Sequence, residues 1–141
     1  MCGIVGYVGN IEDGRLRSAC DVLTHRGPDD AGIWQSSTSS VGLAHRRLAI
    51  VDLSPLGHQP MVSPDGSVVL VFNGEIYNFP ELRDELIAKG VVFNGYSDTE
   101  VLLNLYASEG QAMLPRLNGI FAFAIWDERT KELFVARDAL G

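Results

Sequence analysis

Residues 68–78 read VVLVFNGEIYN, and this stretch carries a strong strand signal. Its first five residues are all apolar, which is typical of a fully buried strand. A helix is predicted after it, over residues 80–89. Asn78 lies just ahead of that helix, Pro80 suits its first turn, and Gly90 suits the position after its end.

A further helix is predicted over residues 99–108. Ser97 and Glu100 have the spacing of a capping box, and Gly110 follows the last turn. The two helices follow each other along the chain with no strand predicted between them. This order differs from the strand–helix alternation that builds a parallel sheet.

Strands are predicted on both sides of this helical pair. Towards the N-terminus, the polar segment QSSTSS, residues 35–40, is predicted to be the turn of a hairpin. The order of strands, helices and strands predicts an α+β architecture of antiparallel sheets with a helical layer. The predicted strands cover residues 4–8, 32–36, 41–45, 48–51, 68–72, 120–126 and 133–136, and the predicted N-terminal helix covers residues 14–24.

The composition indicates one globular domain. A chain of 141 residues is long enough for one core, and 46% hydrophobic with 21% charged residues is a folded balance. The net charge of −7 would repel a phosphate backbone, so no nucleic-acid partner is expected. No apolar run reaches the roughly 20 residues of a membrane helix, so no membrane partner is expected.

The two cysteines, Cys2 and Cys20, form no metal-ligand pattern with the three histidines, so no metal site is expected. The N-terminus has neither the charge nor the apolar run of a secretory signal. We therefore expect a reducing, cytoplasmic location, where free thiols persist. The sequence contains no phosphate-binding loop and no dinucleotide fingerprint, so no nucleotide cofactor is expected in this chain.

Cys2 has two interpretations. A cysteine flanked by apolar residues is often a small, inert core residue. Removal of Met1 would instead give Cys2 a free α-amine beside its thiol. The amine has a reference pKa of about 7.7–8.0 and the thiol about 8.5, so the amine can accept the thiol proton near neutral pH. Cys2 would then be a nucleophile that carries its own base.

Asn73 and Gly74, at the end of the predicted strand, also allow two interpretations. Asn-Gly is a common tight-turn pair. The Asn73 side-chain amide and the Gly74 backbone N–H could instead be the two donors of an oxyanion hole.

Charged residues complete the candidate site. Of the tandem Arg46 and Arg47, at least one is expected close to the core, where a guanidinium suits a carboxylate. Ser97 is expected to cap its helix, which leaves Asp98 free to bind an ammonium group. A thiol, an oxyanion hole, an Arg and an Asp together fit an amino acid with an amide side chain. Glutamine is the first candidate and asparagine the alternative.

These residues lie in motifs that together resemble the glutaminase domain of glutamine-hydrolysing asparagine synthetases. That domain is a class II glutamine amidotransferase of the N-terminal-nucleophile hydrolase superfamily. The forms RGPDDAG and NGEIYN resemble the asparagine synthetase branch. The motifs are MCGIVGY, HRGPDDAG, AHRRLAIVDLSPLGHQPM, NGEIYNF, SDTEVLL, GIFAFAIWD and LFVARDALG, which extend over essentially the whole chain.

The resemblance implies a role for each matching position. Cys2 would be the nucleophile, and Asn73 and Gly74 would form the oxyanion hole. Glu75 and Asp98 would bind the α-ammonium group of glutamine, while Arg46 receives no role. Arg47 would bind the α-carboxylate, with backbone groups nearby from Leu48, Ala49, Ile50 and Val51.

The resemblance also implies a four-layer α-β-β-α sandwich of two antiparallel sheets. Relatives continue with further strands and then an ATP-dependent synthetase domain, so the chain is expected to be an incomplete glutaminase domain. ATP and Mg²⁺ are expected only in that synthetase domain, which would act in cis or as a separate chain. The oligomeric state stays open, a homodimer included.

Three functions remain open from the sequence. The first is hydrolysis of glutamine to supply ammonia for the ATP-dependent amidation of aspartate. The second is an amidotransferase that uses another carboxylate or a sugar as acceptor. The third is a non-catalytic glutamine-binding fragment.

Overall fold

The computed structural model describes residues 2–49 and 55–140. Its N-terminal part forms a three-stranded antiparallel sheet in the order β1-β3-β2, which we call the first sheet. A helix, α1, packs on one face and continues as a 3-10 turn over Leu23–His25. The elements are β1 (Gly3–Val8), α1 (Arg15–Val22), β2 (Asp30–Gln35) and β3 (Val41–Arg47).

The rest of the chain forms the second sheet, which has four antiparallel strands in the order β4-β5-β6-β7. Two helices cover one of its faces, and 3-10 turns lie at Pro55–Gly57 and Gly110–Arg116. The elements are β4 (Met61–Val62), β5 (Val68–Ile76), α2 (Phe79–Ala88), α3 (Asp98–Glu109), β6 (Gly119–Asp127) and β7 (Glu132–Arg137).

Apolar clusters between the layers establish their order. Leu16 and Cys20 of α1 pack on Ala44 of the first sheet. Leu43 of the first sheet packs with Val71 of the second. The largest cluster joins the second sheet to α2 and α3. The expected α-β-β-α order is therefore confirmed.

The alternation of side chains along β3 matters for the site. Val41 and Leu43 face the second sheet, whereas Ala44 faces α1. Continued with a period of two, this pattern sends His45 and Arg47 towards the second sheet and Arg46 towards α1. The contacts agree, because Arg46 Nε donates to the Cys20 carbonyl of α1 at 3.1 Å.

Most predicted elements are confirmed, with three changes of detail. The predicted strand at residues 48–51 is wrong for Leu48 and Ala49, because β3 ends at Arg47. Their N–H groups point to Cys2 Sγ and Asp29 Oδ2 instead of a neighbouring strand. The capping box is half formed: Ser97 Oγ accepts from Glu100 N, but the Glu100 carboxylate accepts from loop N–H groups. Strand β4 was not predicted.

Candidate active site

A cavity of about 200 Å³ opens where the N-terminus of β1, the end of β3, strand β5 and the start of α3 meet. It is lined by seven of the site residues predicted from the sequence, which come from four separate chain segments. The lining residues are Cys2, Arg47, Leu48, Gly57, Gln59, Phe72, Asn73, Gly74, Glu75, Ser97, Asp98, Thr99 and Ile120.

Cys2 immediately precedes β1 and is half-buried. Its Sγ lies 3.4 Å from Leu48 N and 3.8 Å from Leu48 O. The backbone N–H and carbonyl of Leu48, the residue after β3, therefore both contact the thiol. The second cysteine, Cys20, belongs to α1 and is buried between this helix and the first sheet, with its Sγ 3.7 Å from the His45 carbonyl. Of the two thiols, Cys2 is the one that faces the cavity.

Asn73 and Gly74 are not a turn, because β5 continues through them to Ile76. Asn73 has the same parity as Val69 and Val71, which face the first sheet, so its side chain points to the side where Cys2 lies. The Asn73 Oδ1 atom is buried and has no hydrogen-bond partner. The unpartnered atom is the acceptor of this amide, whereas the donor that an oxyanion hole requires is its nitrogen, Nδ2.

Gly74 lies in a backbone conformation that favours glycine, with φ of 149°. A Cβ at this position would lie 2.1 Å from the carbonyl oxygen of Ile120 on β6. Only glycine fits between β5 and β6 here, and Gly74 therefore lines the cavity with backbone atoms alone.

Arg47 brings a positive charge to the cavity. Its side chain is 9% exposed, and its guanidinium packs against Gly57. A Cβ on Gly57 would lie 2.1 Å from Arg47 Nη2, so the missing side chain of Gly57 provides the space that the guanidinium occupies.

Asp98 and Glu75 bring negative charge to the same cavity. Asp98 is 7% exposed, and its Oδ2 accepts a hydrogen bond from Ile76 N at 3.1 Å. Burial raises the pKa of Asp98, and the nearby Glu75 carboxylate raises it further, against the lowering effect of the Ile76 N–H. Glu75 is exposed at the rim. A guanidinium and two carboxyl groups in one cavity suit a zwitterion.

Other residues from the sequence analysis lie elsewhere. Ala49 is bonded to Asp29 and does not line the cavity, while Ile50 and Val51 fall outside the described residues. Arg46 pairs with Asp21 on the far side of the first sheet. Gln59 and Thr99 line the cavity but were not predicted as site residues. Both lie within the motifs quoted above, but a neutral amide and a hydroxyl gave no signal for a catalytic or charged role.

Within residues 2–49 and 55–140, no group of three His, Cys, Asp or Glu side chains is arranged to hold a metal ion. None of the helices in the same residues is long and apolar enough to span a membrane.

The whole chain matches one known family. Residues 1–141 match the family described as the glutamine amidotransferase domain. The chain belongs to this family. Strain 168 of Bacillus subtilis has a relative, asparagine synthetase [glutamine-hydrolyzing] 3, that is 43% identical over 100% of this chain and 24% of the relative. The chain thus spans about a quarter of the length of the curated relatives it matches.

Two further relatives of this chain carry different names. A putative asparagine synthetase [glutamine-hydrolyzing] of Mycobacterium tuberculosis H37Rv is 41% identical over 100% of this chain and 24% of its own length. The amidase chry2 of Gibberella zeae is 37% identical over 100% of this chain and 23% of its own length.

A solved structure shares the fold. The glutamine phosphoribosylpyrophosphate amidotransferase of B. subtilis, complexed with ADP and GMP, superposes with a TM-score of 0.81 at 24% identity. The match covers 98% of this chain and 37% of that protein. At this identity the likeness concerns the fold, and it agrees with the two-sheet sandwich described above.

Proposed function

We propose that this glutamine amidotransferase domain hydrolyses glutamine to glutamate and ammonia with Cys2 as the nucleophile. One observation carries the proposal: a single cavity contains the Cys2 thiol, the amide of Asn73, the Arg47 guanidinium and the Asp98 carboxyl group. These groups match the four features of bound glutamine, which are its amide carbon, its carbonyl oxygen, its α-carboxylate and its α-ammonium group.

The first half of the proposed reaction forms a thioester. After removal of Met1, the free α-amine of Cys2 takes the thiol proton, and Sγ attacks the amide carbon of glutamine. The carbonyl oxygen gains negative charge, which the Asn73 side-chain amide and the Gly74 N–H stabilise. The C–N bond then breaks, the ammonium form of the amine gives its proton to the leaving nitrogen, and ammonia departs.

The second half reverses the roles of the groups. Water attacks the thioester carbon while the α-amine accepts one of its protons. The C–S bond breaks, the thiol recovers that proton, and glutamate leaves. Arg47 and Asp98 hold the α-carboxylate and α-ammonium groups throughout, so they add affinity in both halves.

We further propose that the ammonia serves asparagine synthesis in the full-length protein, through ATP-dependent amidation of aspartate. The names of the relatives from B. subtilis and M. tuberculosis support this acceptor. We assign ATP and Mg²⁺ to a synthetase domain of the full-length protein, and they enter no step above. A second candidate is an amidotransferase with another carboxylate or a sugar as acceptor, because one relative of similar identity, the amidase chry2, does not carry the asparagine synthetase name.

A cytoplasmic location follows from the proposed chemistry. The Cys2 thiol must stay reduced to act as a nucleophile, and reducing compartments preserve free thiols.

The test is release of ammonia from glutamine by the purified protein, with mass spectrometry of the same preparation to establish whether Met1 is present. Cys2→Ala should abolish the release. Cys20→Ala is the matched control, since Cys20 is buried between α1 and the first sheet and does not line the cavity. It should retain most of the activity.

Three results would contradict the proposal. Equal loss in a folded Cys20→Ala variant would remove the assignment of Cys2. Full turnover by protein that retains Met1 would exclude the α-amine as base. Glutamine binding without turnover in the Met1-free protein would indicate a binding module.

A further inference from the structure

His45 and Gln59 meet at one residue of β5. Strand β6 pairs with β5 along its whole length, but β4 covers only Val69 and Leu70 on the other edge. From Phe72 onward this edge of β5 has no strand beside it among the described residues. Two side chains bond there instead: Gln59 Oε1 accepts from Phe72 N at 2.6 Å, and His45 Nε2 donates to Phe72 O at 3.0 Å.

Both side chains are buried and come from different layers. His45 is 1% exposed and reaches across from β3 of the first sheet, while Gln59 is 5% exposed and precedes β4 of the second. Buried polar groups in proteins nearly always have at least one hydrogen-bond partner. Neither the proposed steps nor the apolar core uses these two residues.

The bonded carbonyl has a direct connection to the oxyanion site. Phe72 O and Asn73 N belong to one planar peptide group, so a bond that fixes the oxygen also fixes the plane from which Asn73 extends. Asn73 and Gly74 follow immediately on the same strand and line the cavity.

We propose that His45 and Gln59 are positioning residues that hold the Phe72–Asn73 peptide on the open edge of β5 and so fix the Asn73 and Gly74 donors relative to Cys2. The inference rests on the proposed function for its kinetic readout. It adds two residues to the site, of which Gln59 also lines the cavity and His45 does not.

The state of His45 suits such a role. Burial, together with the Arg47 charge, lowers the pKa of His45 to about 4, although the bond to Phe72 O acts in the opposite direction. The ring is therefore neutral near pH 7, with the proton on Nε2 and with Nδ1 buried and unpartnered. A neutral imidazole that donates one bond holds a carbonyl without changing charge over the working pH range.

The experiment compares four variants. His45→Leu removes the donor at similar volume, and Gln59→Met removes the acceptor at similar length. His45→Gln keeps an N–H donor. Ser63→Ala is the matched control, because Ser63 is also buried and its Oγ accepts from Val68 N at the opposite end of β5, at 2.9 Å.

The kinetics of glutamine hydrolysis should separate an effect on the position of the oxyanion donors from an effect on the stability of the fold. In His45→Leu and Gln59→Met, kcat should fall about 10- to 100-fold, the scale for a small displacement of reacting groups. Glutamine affinity, measured in a Cys2→Ala background, should stay within about twofold, because Arg47 and Asp98 are unaffected. His45→Gln should recover most of kcat, and Ser63→Ala should lose stability but not kcat.

Two further readouts make each outcome decisive. The pH profile of kcat between pH 6 and 9 should keep its shape in all four variants; a lost limb in His45→Leu would make His45 a proton-transfer group and overturn positioning. If His45→Leu does not fold, Gln59→Met carries the test. Unchanged kcat in the variants that fold, or an equal loss in Ser63→Ala, overturns the inference.

A structural readout separates this inference from the proposed function. The side-chain amide of Asn73 can be followed by NMR in the same variants without any turnover. If the parent protein releases no ammonia, the proposed function fails. The positioning role of His45 and Gln59 is then tested by the NMR signal of the Asn73 amide alone. A shift in His45→Leu that is absent in Ser63→Ala supports positioning, and an unshifted amide overturns it.

Discussion

Arg46 and Arg47 are neighbours on β3, yet their side chains lie on opposite faces of the first sheet. Arg46 donates to the Cys20 carbonyl and pairs with Asp21, both on α1. Arg47 borders the cavity beside Gly57. Because successive residues of a strand face opposite ways, a tandem pair of arginines supplies one residue to the helix and one to the site.

This relationship predicts that the two arginines contribute to different properties. Arg47→Ala should weaken glutamine binding by about 2–5 kcal/mol, the range for loss of one partner of a buried charge pair. Arg46→Ala should leave binding unchanged and lower the free energy of unfolding by about 1 kcal/mol. Calorimetry in a Cys2→Ala background measures the first, and urea denaturation the second. γ-Glutamyl amides that lack the α-carboxylate should be insensitive to Arg47→Ala; sensitivity would contradict a carboxylate contact.

Gly57→Ala should weaken glutamine binding with little effect on stability. The new methyl group would overlap Arg47 Nη2, and a flexible guanidinium can move aside at low cost to the fold. The displaced charge would no longer meet the α-carboxylate. A double-mutant cycle on glutamine affinity tests this. Arg47→Ala should weaken binding less in the Gly57→Ala background than it does in the parent protein. Simple additivity would show that Gly57 acts independently.

Asn73→Ala should lower kcat by about 10²–10³, the loss seen when one oxyanion donor is removed. Glutamine affinity should change far less, because negative charge on the oxygen develops only in the transition state. Steady-state kinetics and a separate binding measurement distinguish the two effects. Normal turnover with poor affinity would make Asn73 a ligand of the ground state.

Glutamine affinity should fall at acid pH because of Asp98. The carboxylate form binds the α-ammonium group, and burial raises the pKa of Asp98 above its ordinary value. Affinity should therefore begin to fall at a higher pH than for an ordinary Asp, by about tenfold for each pH unit below that pKa.

Calorimetric titrations from pH 8 downward in a Cys2→Ala background follow this loss. Asp98→Asn should bind weakly with no such step. Glu75→Gln should keep the step and move its midpoint to lower pH, because a neighbouring negative charge is gone. An unchanged step in Asp98→Asn would assign the pH dependence to another group.

Much of this arrangement could be predicted from local sequence patterns. The apolar run before Asn73 indicated a buried strand, and Ser97 indicated the start of α3. Period-two alternation along β3 would also have separated Arg46 from Arg47, although the tandem pair alone left the choice open.

Other features depend on contacts between residues far apart in the chain. Leu48 and Ala49 are apolar and were expected in a strand, but side chains of Cys2 and Asp29 take up their N–H groups. His45 and Gln59 converge on Phe72 only because the two sheets face each other. No local pattern encodes such meetings, since each partner lies 13 or more residues away.

The two helical layers of the sandwich differ in how many apolar side chains they bury against their sheets. Below α1 the buried cluster contains Leu16, Cys20 and Ala44, whereas the layer between the second sheet and its two helices contains far more buried side chains. Segments that bury little apolar surface open locally at lower free energy than the rest of a fold. We therefore expect the amide hydrogens of α1 to exchange with solvent at a lower opening free energy than those of the second sheet, which holds Asn73 and Gly74.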